Sequence, residues 1–146
     1  MVACTSGGNA TIKVTRDACT PPSVTAEPSA TAVQSNGIAD AEALWRPRGV
    51  PALGVRAGVA LEVRFQHAAP QFHGFYDDQE SVIYINDQVT DPTALSIVIA
   101  HELGHAFGLV HVSPDLRTSL MNPGNLVVPP TDEDQRAIEA LWGVCP

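Results

Sequence analysis

Alternation of hydrophobic and polar residues predicts four strands in this chain. They cover residues 10–15, 50–56, 59–65 and 81–86, and residues 59–65 carry large hydrophobic side chains at every second position. A period of two places these side chains on one face of a strand, where they can pack against a core. Three prolines within residues 17–28 exclude regular structure there, so that segment is predicted to be a loop.

Helical spacing predicts a first helix in the middle of the chain. Apolar residues recur at this spacing within residues 38–45. Ser29, or the pair at residues 35–36, is a candidate N-cap because serine and asparagine side chains accept hydrogen bonds from free backbone N–H groups. Pro47 is expected to end the helix.

Two further helices are expected in the second half of the chain. Asp91 followed by Pro92 is typical of a helix start, and the largely apolar residues 94–107 follow it. Residues 131–134 form a capping box with three acidic residues in the first turn. The last helix then runs to about Trp142.

Length and composition indicate a single globular domain. The chain has 146 residues, of which 45% are hydrophobic and 16% are charged. We assign residues 1–146 to one domain of the α+β class, with residues 1–9 as a flexible leader. The net charge of −8 disfavours a nucleic-acid partner. No apolar run reaches the roughly 18 residues that a transmembrane helix needs.

The candidate chemistry lies in residues 101–111, His-Glu-Leu-Gly-His-Ala-Phe-Gly-Leu-Val-His. His101 and His105 are four residues apart, so a helix places both imidazoles on one face. Glu102 is rotated by roughly 100° from His101, where its carboxylate can accept a proton as a base and not bind metal as a ligand. Gly108 allows the turn that brings in His111. Three histidine nitrogens and a water make the open tetrahedral site of one catalytic zinc ion.

The spacing H-E-x-x-H-x-x-G-x-x-H followed by Met121 resembles the metzincin zinc peptidases. Residues 119–123, Ser-Leu-Met-Asn-Pro, look like the Met-turn of the matrixins and their small bacterial relatives. Two departures separate the chain from typical matrixins. Val112 stands where a serine commonly follows the third histidine, and the loop for a second zinc and calcium is not recognisable within residues 65–81.

The resemblance implies a metzincin-like catalytic domain. Its expected parts are a twisted mixed sheet with an antiparallel edge strand, a long zinc-binding helix, a Met-turn and a C-terminal helix. By analogy residues 81–86 are the edge strand, to which an extended peptide can add, and Met121 is an apolar floor under the zinc histidines. The expected substrate-contacting residues are Val82, Ile83, Tyr84, Asn122 and Pro123.

The function expected from these features is that of a zinc-dependent endopeptidase. Zinc at His101, His105 and His111 would activate a water, with Glu102 as general base, and the substrate would be a protein or peptide. Two rival hypotheses stay open. One is a catalytically weak domain that binds peptides or an inhibitor in the same cleft, and the other is a latent form that is blocked by its own leader. A monomer is expected.

Three cysteines favour a disulfide in an exported protein, secreted or in the cell envelope, and the resemblance to small bacterial relatives implies a bacterial one. A disulfide between Cys19 and Cys145 is the favoured pairing. Cys4 is left over, and its alternatives are a lipid-anchored cysteine, a free thiol and a latch that reaches the zinc.

Two histidines lie outside the motif. His67 and His73 have Asp77 and Asp78 nearby in sequence, so a second metal site is an alternative. The favoured interpretation is that both are loop histidines, because their spacing fits no known ligand pattern.

Overall fold

A computed structural model describes residues 12–52 and 60–146 in full, together with the backbone of residues 2–3. The strands are β1 (Val2–Ala3), β2 (Val24–Ala26), β3 (Leu61–Gln66), β4 (Gly74–Asp77) and β5 (Val82–Asn86). The helices are α1 (Ala32–Trp45), α2 (Pro92–Ala106) and α3 (Asp132–Trp142), and a 3₁₀ turn (Arg46–Arg48) follows α1.

The strands form one mixed sheet in the order β1-β4-β5-β3-β2. Strands β2, β3 and β5 run parallel to one another, whereas β4 is antiparallel to β5 and β1 is antiparallel to β4. With α1 packed on α2, and α2 in contact with β4 and β5, the domain has the predicted α+β class.

The expectation that residues 81–86 form the edge strand is wrong. They form β5, which pairs with β3 on one side and β4 on the other, so its backbone groups are used on both sides. The antiparallel strand beside it is β4, which the sequence analysis did not predict. This strand has only four residues, and glycine and aspartate at its ends weaken the strand pattern.

The first predicted strand is also wrong within the described residues, since residues 12–17 form no strand. A side chain satisfies the backbone there instead: Lys13 N and Val14 N donate to Asp78 Oδ2 at 2.6 and 2.9 Å. The predicted loop at residues 17–28 contains β2, which begins beyond its paired prolines. Of the strand predicted at 50–56, residues 50–52 are not strand, and 53–56 lie outside the described residues.

Helix α1 begins at a cap that the sequence analysis did not propose. Thr31 caps it, in place of Ser29 or residues 35–36: Gln34 N donates to Thr31 Oγ1 at 3.2 Å, and Thr31 N donates to Gln34 Oε1 at 2.8 Å. This reciprocal capping box satisfies two free donors at once. The helix ends at Trp45, two residues before Pro47, as expected.

Helix α2 is the centre of the core. All its residues from Leu95 to Ala106 are buried. Trp45 of α1 is 1% exposed and donates from its indole Nε1 to Ala100 O at 3.0 Å, so its one polar atom is satisfied inside the core. A helix buried on all sides holds the side chains that it carries in fixed positions.

A disulfide joins Cys19 to Cys145, as expected from the sequence, with the two Cα atoms 5.0 Å apart. It ties the segment before β2 to the residues after α3. Within the described ranges, no helix is both long enough and apolar enough to cross a membrane.

Candidate metal centre and its cleft

Three buried histidines meet at the end of α2. Nitrogen atoms of His101, His105 and His111 all lie within 4.8 Å of one another. The three side chains are at most 8% exposed. The three rings therefore lie close enough together to bind one metal ion.

Backbone carbonyls orient two of these rings. His101 Nδ1 lies 2.7 Å from Leu120 O, and His105 Nδ1 lies 2.7 Å from Leu109 O. Because a carbonyl oxygen can only accept, each Nδ1 carries the proton and each Nε2 keeps its lone pair. Both Nε2 atoms are buried and have no hydrogen-bond partner among the described residues, which fits a pair of metal ligands.

The environment also keeps these ligands neutral. Desolvation lowers the pKa of His101 to about 4 and lowers that of His105 well below its usual value. A neutral imidazole is the form that binds metal, so at neutral pH neither ring would have to lose a proton first.

The chain reverses between the second and third histidines. Gly108 has a φ of 101°, which a residue with a side chain rarely adopts. Gly108 N donates to His105 O and Leu109 N donates to Gly104 O, both at 2.9 Å, so the turn also closes the helix. The same turn places the Leu109 carbonyl on the ring of His105.

Met121, which the resemblance assigns to the floor of the site, is buried against α2. It is 1% exposed, and a Cβ added at Gly104 would lie 2.6 Å from its Sδ. The sequence analysis gave Gly104 no role. No local signal marks it, because its need for hydrogen in place of a side chain arises from a methionine 17 positions later.

A buried carboxylate fixes the Met-turn to α3. Asp134 is fully buried, accepts from Leu120 N and Thr131 N, each at 2.9 Å, and accepts a hydrogen bond from the Ser119 hydroxyl. Leu120 is also the residue whose carbonyl orients His101. The capping box was the only sequence signal for Asp134, and it gave no sign of this second role.

Glu102 directly follows His101 on α2, and its side chain lies against the start of β4. It is fully buried, and a Cβ added at Gly74 would lie 3.5 Å from its Oε1. The carboxylate is therefore next to the first residue of the antiparallel strand. The edge of β4 that faces away from β5 pairs with Val2–Ala3.

The structure distributes the expected substrate-contacting residues differently. Val82 and Ile83 are buried in the sheet, and Tyr84 stacks on Phe75 with 4.6 Å between ring centroids. The side-chain amide of Asn122 is occupied by hydrogen bonds within the protein: it donates to Val112 O at 2.8 Å and to Arg117 O at 3.0 Å.

Pro123 is half-buried in the segment directly after the Met-turn. The two remaining histidines are not brought together. His67 Nδ1 lies 3.3 Å from Asp87 Oδ1, and His73 lies directly before β4. Among the residues that the structure describes, the zinc motif supplies the one group of three possible metal ligands.

Comparison with known families agrees with this arrangement. The matrixin family model matches residues 57–143, which include β3, β4, β5, α2 and the Met-turn. A comparison with curated proteins gives no match. With more than half of its length covered by that match, the chain belongs to the matrixins, a family that binds zinc and consists in general of zinc endopeptidases.

Proposed function

We propose that this protein is a zinc-dependent endopeptidase with one catalytic zinc ion held by His101, His105 and His111. The observation that carries the proposal is the geometry of the histidine cluster. Its nitrogens lie within 4.8 Å of one another, and the Nδ1 atoms of two rings are already committed to backbone carbonyls. A carboxylate, Glu102, is buried beside the cluster.

When bound, zinc supplies a Lewis acid that lowers the pKa of water and polarises the carbonyl of the peptide. Glu102 then serves as the general base, taking the proton of the attacking water. The same carboxyl group passes that proton to the nitrogen of the departing amine, which breaks the peptide bond. The chain itself orients the two histidines through Leu120 and Leu109.

The substrate is expected to bind as an extended strand along β4. Glu102 lies next to Gly74 at one end of this strand, so a peptide on β4 runs directly past the base. The antiparallel pairing of Val2–Ala3 with β4 supports this mode, because it shows that the edge accepts a further strand. Backbone pairing of this kind places little demand on the peptide's sequence.

We also propose where the protein is located and in which oligomeric state it acts. The disulfide between Cys19 and Cys145 suits an oxidising compartment, so we assign the protein to the exported class, secreted or in the cell envelope. We expect a monomer that acts on proteins or peptides. Cys4 lies outside the described residues, and the lipid anchor remains one alternative for it.

Two variants test the mechanism against the rival that only binds peptides. Glu102→Ala is expected to keep about one zinc per chain and to lose at least about 10²–10⁴-fold in peptide cleavage, because the base contributes no bond to the metal. His105→Ala is expected to lose the zinc as well. Metal analysis measures the zinc content of each variant. Cleavage of a quenched peptide library, with and without chelator, measures its activity.

Cleavage by Glu102→Ala at the parent rate would rule out this mechanism. A parent protein that binds zinc and peptide but cleaves nothing would favour the binding domain. Two tightly held zinc ions per chain would contradict the single-metal proposal and bring His67 and His73 back as ligands.

A further inference from the structure

His73 lies one residue before β4, and its backbone is held in place by the sheet. Its carbonyl accepts from Asn86 N at 2.8 Å, which continues the pairing of β4 with β5 by one residue. Its neighbour Gly74 is the residue that approaches Glu102, with 3.5 Å between the added Cβ and Oε1. The backbone of His73 is therefore held beside the proposed base.

The ring of His73 faces the segment after the Met-turn. Its Cε1 lies 4.0 Å from a Cβ added at Gly124, three residues past Met121. The pKa of His101 is lowered first by desolvation and, among lesser causes, by the charge that His73 can carry. The imidazole thus lies between the start of β4 and the segment after the Met-turn.

The ring of His73 remains able to form hydrogen bonds. Within the described parts of the chain the side chain of His73 makes no hydrogen bond or ion pair, whereas His67 contacts Asp87. His73 is half-buried, and desolvation lowers its pKa, so the ring is neutral at neutral pH. A neutral imidazole has one N–H to donate and one lone pair. His73 lines an open cavity together with polar residues such as Gln88 and apolar ones such as Leu126.

We propose that His73 is a further catalytic residue, which donates a hydrogen bond to the carbonyl oxygen of the scissile peptide as negative charge develops on it. The inference rests on the proposed peptidase function. A peptide paired along β4 continues past Gly74 to His73, so its reacting carbonyl comes within reach of the ring. A donor that is already in place at such an oxygen typically contributes about 10²–10³ in rate.

Three substitutions separate the hydrogen bond from the bulk of the ring. His73→Phe keeps an aromatic ring without a donor, His73→Gln keeps a donor of similar length, and His67→Phe is a matched control away from the cluster. We expect His73→Phe to lower kcat by about 10²–10³-fold with KM within about twofold. His73→Gln should recover at least about tenfold of that loss, and His67→Phe should match the parent. Zinc content and thermal unfolding midpoints should be unchanged in all three.

A binding measurement gives a reading that does not depend on turnover. Calorimetry with a phosphinic peptide, whose oxygens resemble the charged reacting centre, should show weaker binding to His73→Phe by about tenfold or more. Binding of the uncleaved peptide to Glu102→Ala should change little when His73→Phe is added. Unchanged kcat in His73→Phe, or a raised KM with kcat intact, would overturn the catalytic role while leaving the peptidase function standing. A parent protein that cleaves no peptide would instead remove both.

Discussion

At the scale of single residues, Gly104 determines how closely Met121 can approach α2. A Cβ at this position would meet Sδ at 2.6 Å and Trp45 Cζ2 at 3.5 Å. Gly104→Ala should therefore destabilise the protein by about 1–3 kcal/mol, although alanine is the better helix former. Urea unfolding of the zinc-loaded protein measures this.

A companion substitution shows whether the methionine is the cause. Met121→Leu shortens the side chain that occupies the space, so the double variant should be less destabilised than the sum of the two single variants. If Gly104→Ala proved more stable than the parent, helix propensity would outweigh the contact and the packing argument would fail.

Residues that belong to one helix were the easiest to interpret from sequence. The relative directions of His101, Glu102 and His105 follow from 3.6 residues per turn, and the structure brings the rings of His101 and His105 together. The sequence did not predict the contacts that Gly104 and His73 make. Their neighbours, Met121 and Gly124, lie on a different segment, and no periodicity along the chain records such a contact.

At the scale of elements, Asp134 couples α3 to the Met-turn and, through Leu120, to His101. Asp134→Asn exchanges an oxygen that accepts from backbone N–H groups for an amide that donates. We expect a loss of about 2–4 kcal/mol in the free energy of unfolding. Zinc affinity should fall by about tenfold or more, because the carbonyl that orients His101 is then less firmly held.

The control for this prediction is Asp132→Asn in the same helical turn. Asp132 has a side chain that is 78% exposed and pairs with Arg48 at the surface, so its removal should cost less than about 1 kcal/mol. Zinc titration and urea unfolding are compared in both variants. Equal zinc affinity in Asp134→Asn and the parent would show that the Met-turn holds its place without this carboxylate.

Helices, whose pattern is local, were predicted well from the sequence. Strands were predicted poorly where their formation or position depends on pairing with other strands. Helices α2 and α3 have caps and periodicity that can be seen in a few consecutive residues. By contrast, β4 is four residues long and exists because it pairs with β5, and β5 is an inner strand for the same reason. Strand order is a tertiary property, so analogy alone assigned the edge to the wrong strand.

At the scale of the whole molecule, the disulfide closes a loop that includes nearly every element. Cys19 and Cys145 are 126 positions apart, and in a chain-entropy treatment a bridge of this span contributes roughly 4–5 kcal/mol. Replacing both cysteines by alanine should lower the free energy of unfolding by up to that amount. Denaturant unfolding without reductant measures it.

Cys4→Ser is the matched control, since it removes the third cysteine and leaves this bridge intact. It should unfold at the same denaturant concentration as the parent. Peptide mapping without reduction should recover residues 19 and 145 in one fragment pair. A fragment that joins Cys4 to either of them would contradict the pairing.

Strand β1 would compete with a bound peptide for the same edge of β4. The groups of β4 that pair with Val2–Ala3 are the groups that an incoming peptide would use, so the two exclude each other. The apparent affinity for any peptide is therefore its intrinsic affinity multiplied by the fraction of molecules whose edge is bare. Two paired residues provide few ladder bonds, so this competition would discriminate among peptides more than it would block their binding. Under the proposed binding mode, short peptides that gain little from β4 would be turned away, and long ones that pair along its whole length would displace the strand.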